Sequence, residues 1–278
     1  MTIRVVRRTG PRPLSLAVLQ SDGALGSPAA RLAWLEAQLE DLVSRDERPD
    51  LVLTPELFAH GYNAGAAFKD LAEPADGPLS AAVTVLARKS GAAILYGFAE
   101  RAQGRLYNSV QAVDAAGERL TLVRKRVLPP GPERDLFAPG GGGPLFTLNG
   151  LTIATLICYE AEFPEAVRLA ARAGAQLVLV PTALSADWPV VARKLIPTRA
   201  FENGVYVAYA NHAGAERGLR YLGESCIVGP DGEDVARAGE APTALAATIA
   251  PHAVAAAQAR LPYLRDLAGL GPEDGPGS

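Results

Sequence analysis

Hydrophobic and polar positions follow two alternating periods in the first hundred residues. Short apolar runs predict strands at residues 14–20, 51–54 and 92–98. Between these strands, residues 28–43 and 79–89 carry apolar residues at the i, i+3, i+4 spacing of amphipathic helices. This strand–helix alternation is typical of a sheet that is covered by helices.

Two β-hairpins are predicted in the middle of the chain. One turns at residues 114–117 and the other at Asn149-Gly150, a dipeptide that suits the tight turns of hairpins. Residues 128–144 lie between them and form a loop rich in Pro and Gly. Loops of that length in a compact domain are usually functional or disordered.

The second half returns to the strand–helix pattern. We predict strands at 151–157, 176–180 and 205–210, helices at 164–173 and 188–203, and further strands within 222–249. No low-complexity linker separates the halves, so residues 1–278 are predicted to form one domain of two packed, helix-covered sheets. The core is expected at about 14–250, and the Gly- and Pro-rich residues 269–278 are expected to be frayed.

Composition and charge exclude several functional classes. The chain has 27 Lys and Arg residues against 30 Asp and Glu residues, a net charge of −3, so it has no overall attraction for nucleic acid. Arg4, Arg7, Arg8 and Arg12 precede no apolar run, and we interpret them as a solvated arm or edge strand rather than a secretory signal. No stretch approaches the roughly 20 apolar residues of a membrane span, so we predict no membrane partner and a cytoplasmic location.

Cysteine and histidine are scarce. Cys158, Cys226, His60, His212 and His252 stand at no spacing typical of metal ligands, so a structural metal site is not expected. A chain of 278 residues buries enough surface to fold without disulfides. If a cysteine is a nucleophile here, the shortage of histidine favours a carboxylate as its base.

Three residues stand where reactive side chains are useful. Cys158 lies between an apolar strand and a helix, an elbow at which backbone N–H groups stabilise a thiolate or an oxyanion. Glu56 lies in an apolar segment, where desolvation raises the pKa of a carboxyl group and suits it to act as a base. Lys125, within Arg124-Lys125-Arg126, supplies fixed positive charge if it faces inward. Taken singly, each has an ordinary alternative: a structural cysteine, a loop or helix-cap glutamate, and a solvated strand end.

The same residues belong to an ordered set of motifs. The set comprises Pro55-Glu56-Leu57-Phe58 with Gly61-Tyr62-Asn63, Arg124-Lys125, the Glu-Arg-Asp-Leu-Phe-Ala-Pro-Gly segment at 133–140, Ile157-Cys158-Tyr159-Glu160 with Phe163-Pro164-Glu165, and Arg199-Ala200-Phe201-Glu202-Asn203. In this order, over roughly residues 14–250, the motifs resemble those of the nitrilase, or carbon–nitrogen hydrolase, superfamily. No single motif is specific, but their combination is.

The resemblance implies a fold, an assembly and a catalytic set. The expected fold is α/β, a four-layer αββα sandwich of two mixed β-sheets covered by helices, and the expected assembly is a homodimer or higher homo-oligomer. By resemblance, Glu56 is the general base, Lys125 stabilises the oxyanion and Cys158 is the nucleophile. Glu133 matches a further glutamate beside this set, and the backbone N–H of Tyr159 completes the oxyanion site. Such a mechanism requires no metal and no organic cofactor.

The residues around Cys158 also bear on the substrate. Tyr159 stands where true nitrilases of the superfamily typically carry Trp, so the chain more closely resembles the amidase branches, which act on small aliphatic or amino-acid amides. We expect substrate contacts from Tyr62, Tyr159, Ala183, Trp188 and Asn211. A carboxylate-bearing substrate would need an arginine such as Arg193. Hydrolysis of a nitrile or an N-carbamoyl compound is the alternative, and a non-catalytic binding protein is a further one.

Overall fold

Apolar runs form the strands and amphipathic segments form the helices of this chain. The computed structural model describes residues 12–270. The strands are β1 (Leu14–Gln20), β2 (Leu51–Leu53), β3 (Ala93–Ala102), β4 (Arg105–Val113), β5 (Arg119–Arg124), β6 (Phe146–Leu148), β7 (Leu151–Thr155), β8 (Leu177–Pro181), β9 (Tyr206–Ala210), β10 (Ala215–Glu216), β11 (Leu219–Arg220), β12 (Cys226–Val228), β13 (Asp234–Arg237) and β14 (Thr243–Ile249). The helices are α1 (Pro28–Ser44), α2 (Phe68–Leu71), α3 (Pro78–Ser90), α4 (Pro132–Leu136), α5 (Pro164–Arg172), α6 (Ile196–Asn203), α7 (Pro251–Arg260) and α8 (Tyr263–Asp266).

Two six-stranded mixed sheets form the centre of the fold. The first has the order β14-β1-β2-β3-β4-β5 and the second the order β13-β12-β9-β8-β7-β6. In each sheet three neighbouring strands are parallel, β1-β2-β3 in the first and β7-β8-β9 in the second, and the outer pairs are antiparallel. The carboxyl ends of β2 and β5 therefore lie at one edge of the first sheet, and those of β7, β8 and β9 at one edge of the second.

The buried apolar residues form layers between and outside the sheets. One cluster joins the facing sides of the two sheets, with Leu16 and Leu53 from the first and Ile153 and Leu179 from the second. A second cluster packs α1 and α3 on the outer side of the first sheet, and a third packs α5 and α6 on the outer side of the second. The order helix, sheet, sheet, helix is the expected αββα sandwich.

The structure confirms most predicted elements and corrects several boundaries. Both predicted hairpins form, at β4-β5 and β6-β7. The helix predicted at 188–203 begins at Pro189 and is interrupted by a π-helical turn at Val191–Leu195 before it continues as α6. Pro197 explains the change, because it has no N–H to donate to the preceding turn. The loop at 128–144 contains α4, which carries Glu133.

Most of the basic N-terminal segment and nearly all of residues 269–278 lie outside the described range. Within residues 12–270, no helix is long and apolar enough to cross a membrane.

Candidate active site

The candidate catalytic residues meet where the strand ends of the two sheets face each other. Glu56 follows β2 and Lys125 follows β5, while Cys158 follows β7. The backbone N–H of Glu56 donates to the carbonyl of Thr182, which follows β8, over 3.3 Å and so links the two sheets at this point. The topology therefore brings together three side chains that are far apart in sequence.

Lys125 forms the centre of a buried polar cluster. Its Nζ lies 2.6 Å from Oε1 of Glu56 and 2.7 Å from Oε1 of Glu133. Asn108, on β4, donates from Nδ2 to the same two oxygens, over 2.7 Å to Glu56 and 2.9 Å to Glu133. The hydroxyl of Tyr62 donates to Oε2 of Glu133 over 2.8 Å. One ammonium thus stands between two carboxylates, and every one of these side chains has its position fixed by at least one hydrogen bond.

Burial and charge adjust the acidity of this cluster. Desolvation raises the pKa of Glu56 to about 7, because it outweighs the positive charge of Lys125, and the charge of Glu133 adds to the rise. Burial acts to lower the pKa of Lys125, but the charges of Glu56, Cys158 and Glu133 together raise it, so the ammonium stays protonated. Oε2 of Glu56 is buried and has no hydrogen-bond partner, whereas Oε1 is held by Lys125 and Asn108. One oxygen of Glu56 is therefore free to accept a proton.

Cys158 sits in a strained backbone conformation. Its φ is +51°, in the left-handed region that non-glycine residues rarely adopt, and it begins a short 3₁₀ helix, Cys158–Glu162. The hydroxyl of Thr182 lies 3.0 Å from its Sγ, and the backbone of Ala183 also forms a hydrogen bond to the thiol. Burial and the charge of Glu56 raise the pKa of Cys158, so the resting form is the thiol, and a base is required to form a thiolate here.

Glu160 ties the cysteine elbow to the loop that carries Lys125. Its Oε2 accepts from the backbone N–H of Ile157 over 2.8 Å, and its Oε1 accepts from the backbone N–H of Arg126 over 3.0 Å. Arg126 also pairs with this carboxylate, and Arg124 pairs with buried Glu100. Of the three adjacent cations, only Lys125 therefore points into the site.

His212 supports the backbone at Glu56. Its Nε2 lies 2.8 Å from the carbonyl oxygen of Glu56, so Nε2 is the donor, and Nδ1 accepts from the hydroxyl of Ser21 at 3.0 Å. Desolvation lowers the pKa of this fully buried ring to about 3, which keeps it neutral and preserves that tautomer. His212 therefore holds a main-chain atom, and none of its described hydrogen bonds reaches the side chain of Glu56, Lys125 or Cys158.

The predicted substrate contacts divide into two groups. Tyr62 lies at the site, because its hydroxyl donates to Glu133. Ala183 also lies there, because its backbone forms a hydrogen bond to the thiol of Cys158. Tyr159 follows Cys158, and its ring packs edge-on against Phe163. Trp188 is 61% exposed, so in this structure it does not form an enclosed apolar wall.

Asn211, a predicted substrate contact, has its side-chain amide bound to backbone groups in this structure. This residue is fully buried, and its Oδ1 accepts from the backbone N–H groups of Leu184 and His212. Its Nδ2 donates to the carbonyl oxygens of Leu184 and Gly223. All four hydrogen-bonding positions of the amide are occupied, so Asn211 holds neighbouring loops together.

Sequence reasoning missed Asn108, Thr182 and His212. The signal for Asn108 was a run of polar residues, Asn108, Ser109 and Gln111, inside a strand where all three are buried. Buried polar side chains need partners, so such a run points inward to a hydrogen-bonded network. Thr182 follows the end of β8 and His212 follows the end of β9. Lys125 and Cys158 likewise follow the ends of their own strands, β5 and β7.

Comparison with known proteins assigns this chain to a family. Residues 15–259 match the carbon–nitrogen hydrolase family. The chain is 43% identical over 220 residues to a Pseudomonas protegens protein described as a hydrolase in the pqqF 5′ region. The aligned residues cover 78% of this chain and 77% of that protein. It is 34% identical over 191 residues to an (R)-stereoselective amidase of a Pseudomonas species, covering 68% and 69% of the two chains.

A solved structure extends the comparison to the fold. A mutant of the amidase from Nesterenkonia sp. AN1, with the acetamide moiety of fluoroacetamide added covalently at its active-site cysteine, matches with a TM-score of 0.80 and 31% identity. The match covers 92% of this chain and 95% of the other. The fold is therefore the αββα sandwich of the nitrilase superfamily amidases. The chain belongs to the carbon–nitrogen hydrolase family and is an enzyme that acts on amides.

Proposed function

We propose that the chain hydrolyses a small carboxamide to a carboxylate and ammonia through a thioester on Cys158. The observation that carries this proposal is the state of Glu56, with one oxygen bound to Lys125, the other unpartnered, and a pKa of about 7. A base with that pKa is half ionised near neutrality, where it is suited to both take and return a proton. The covalent addition at the active-site cysteine of the Nesterenkonia amidase is consistent with the same chemistry here.

The first half of the reaction forms the thioester. Glu56 takes the proton of the Cys158 thiol, and the sulfur attacks the amide carbon. Lys125 and the backbone N–H of Tyr159 stabilise the negative charge that develops on the amide oxygen. Glu56 then gives its proton to the departing nitrogen, so the carbon–nitrogen bond breaks and ammonia leaves.

The second half restores the enzyme. Glu56 takes a proton from water, and the resulting hydroxide attacks the thioester carbon. The carbon–sulfur bond breaks, Glu56 returns its proton to the leaving sulfur so that the thiol is regained, and the carboxylic acid product releases its own proton to water and leaves as a carboxylate. Glu133, Asn108 and Tyr62 do not exchange protons in this sequence. They hold Lys125 and Glu56 in place through the hydrogen bonds described above.

A substrate panel tests the proposed activity. The purified protein is offered unbranched amides, the matching nitriles and the matching N-carbamoyl amines, and ammonia release is measured for each. We expect kcat/KM to be highest for the amides. A higher kcat/KM for nitriles or N-carbamoyl compounds would favour the alternative members of the family, and no ammonia from any compound would contradict the proposal.

The activity should depend on pH through Glu56. Because the pKa of this carboxyl group is raised to about 7, its ionised form is lost as the pH falls through that value. We expect kcat/KM for an amide to fall about tenfold per pH unit below about pH 7. A profile that stays flat down to pH 5 would show that the base is a carboxylate with an ordinary pKa, which would contradict the role assigned to Glu56.

Assembly and location stay predictions from the sequence. The face formed by α5, α6 and α8 carries exposed apolar side chains, among them Leu169, Phe201 and Tyr263, and this supports the proposed homodimer. Light scattering of the purified chain, whose monomer mass is 29.0 kDa, measures the assembly directly.

A further inference from the structure

Two buried hydroxyls, those of Thr182 and Tyr209, form a line of hydrogen bonds that ends on the sulfur of Cys158. Oγ1 of Thr182 lies 3.0 Å from Sγ of Cys158 and 3.1 Å from the hydroxyl oxygen of Tyr209. Thr182 directly follows β8 and Tyr209 lies on the neighbouring β9, so the pairing of these strands holds the two hydroxyls at this distance. Neither hydroxyl takes part in the proton transfers assigned to Glu56.

The number of hydrogens sets the direction of these hydrogen bonds. Each hydroxyl carries one hydrogen, so Thr182 donates either to the sulfur or to Tyr209, never to both. A thiolate carries no hydrogen and can only accept. When Cys158 has lost its proton, Thr182 donates to the sulfur, and its oxygen is left to accept from Tyr209. Within residues 12–270, Thr182 is the one hydrogen-bond partner of the Tyr209 hydroxyl, so this arrangement satisfies all three groups.

The titratable groups around Cys158 leave its thiolate short of positive charge. Burial and the charge of Glu56 raise the pKa of the thiol, and Lys125 is the cation that lowers it. The ammonium of Lys125 is already shared between two carboxylates. Tyr62 also faces the thiol, but its hydroxyl donates to a carboxylate of the catalytic cluster. A hydrogen bond donated by Thr182 therefore supplies stabilisation that the charged groups do not.

The surroundings of Tyr209 keep its hydroxyl protonated. Burial raises the pKa of Tyr209 well above its usual value, and the charges of Cys158 and Glu162 raise it further. Cys226, which pairs with Tyr209 from β12, is a buried thiol whose own pKa is raised to about 12. Tyr209 therefore carries its hydrogen at neutral pH and has it available for Thr182.

We propose that Thr182 is a further catalytic residue, which donates a hydrogen bond to the Cys158 thiolate, and that Tyr209 is a positioning residue, which fixes the direction of that donation. The inference rests on the proposed thioester mechanism. No proton passes along the line: Glu56 removes the proton of the thiol, and the two hydroxyls turn towards the sulfur. The same hydrogen bond stabilises the sulfur again when it leaves the acyl group. Loss of a hydrogen bond to a charged group should lower the population of the thiolate about 10- to 100-fold.

The rate at which iodoacetamide alkylates Cys158 tests the inference. The thiolate is the reactive form, its sulfur bonds to the carbon that loses iodide, and the reaction needs no turnover of an amide. Thr182→Val keeps the shape of the side chain and removes the donor. We expect it to slow alkylation at pH 7.5 about 3- to 12-fold, because a more basic sulfur is also a better nucleophile and recovers part of the lost rate. Thr182→Ser keeps the hydroxyl and should react like the unmodified chain. Peptide mapping reports on Cys158 alone.

Tyr209→Phe tests the positioning role and leaves Thr182 in place, so it also serves if Thr182→Val does not fold. We expect a loss of about two- to threefold, since the bond that it removes joins two neutral groups. Because Tyr209 acts through Thr182, the double variant should react no more slowly than Thr182→Val alone.

Two substitutions in neighbouring strands are matched controls. Thr155→Val removes a buried hydroxyl at the end of β7 that has no partner within the described residues. Tyr206→Phe removes a hydroxyl from β9 that contacts the backbone N–H of Ala250. Both should leave the alkylation rate unchanged, and circular dichroism checks the fold of every variant.

Three results would overturn the inference. Equal alkylation rates for the folded Thr182→Val variant and the unmodified chain would show that the sulfur needs no donor. A Thr182→Ser variant as slow as Thr182→Val would show that packing, not the hydroxyl, is responsible. Losses that add in the double variant would remove the role of Tyr209. Absence of ammonia from every amide, with the alkylation rates as expected, would instead overturn the proposed function.

Discussion

Cys158→Ala should lower kcat/KM for an amide at least about 10⁴-fold, because the nucleophile is lost while the rest of the site remains. The pKa of the thiol is raised by burial, so removing it takes no charge from the resting site. We therefore expect the variant to fold and to bind the amide. Ammonia release under substrate excess measures the loss, and circular dichroism checks the fold.

Cys226→Ala is the matched control for this substitution. Cys226 is the other cysteine of the chain, and it is fully buried in β12 among the apolar residues between the second sheet and its helices. Its replacement removes the same atom from a packed strand, so activity should persist with at most a modest loss of stability. Equal activity of the Cys158→Ala variant and the unmodified chain would rule out a thioester mechanism.

Lys125→Met should have the largest effect on stability. The substitution leaves Glu56 and Glu133 buried beside each other without the cation that separates them. Breaking a buried ion pair in this way costs about 3–5 kcal/mol of unfolding free energy. Loss of the oxyanion contact should also lower kcat about 10²- to 10³-fold. Urea unfolding and initial rates measure the two effects separately.

The stability loss should depend on pH in a defined direction. Without Lys125, the folded-state pKa of Glu56 rises further above its unfolded value, so the folded variant holds a proton that the unfolded chain has released. The stability of the variant must then fall as the pH rises between these two pKa values, and the deficit should be smaller at pH 5 than at pH 8. Lys89→Met is the control, because exposed Lys89 also contacts two carboxylates, those of Glu36 and Glu40, yet should show little change. A deficit of equal size at both pH values would show that buried charge is not its cause.

Much of the fold could be predicted from local signals. The Asn149-Gly150 turn, the apolar run of β2 and the amphipathic α1 each have a signal within a few neighbouring residues, and each forms as predicted. The hairpin between β3 and β4 was not predicted. The predicted strand stops at residue 98, whereas β3 continues to Ala102. Its last residues are polar or small, so they lack the apolar run that marks a strand.

The site could be predicted only in part. Glu56, Lys125 and Cys158 were recognised through motifs, and the strand order then places their backbones at facing sheet edges. Asn108 has no motif in the predicted set, and its role depends on pairing between β3, β4 and β5, which a single sequence does not specify. The backbone partners of Asn211 could not be predicted, because its four hydrogen bonds go to loops that are brought together only in three dimensions.

The proposed mechanism requires a covalent bond between the substrate and Cys158. Its most direct test is the intact mass of the protein, measured after rapid acid quenching during turnover of an amide such as hexanamide. We expect an added acyl group that peptide mapping places on Cys158, that disappears when substrate is exhausted, and that is absent from the Cys158→Ala variant. Turnover of fluoroacetamide, or of a slow amide substrate, during which no acyl group ever appears on Cys158 would contradict the mechanism.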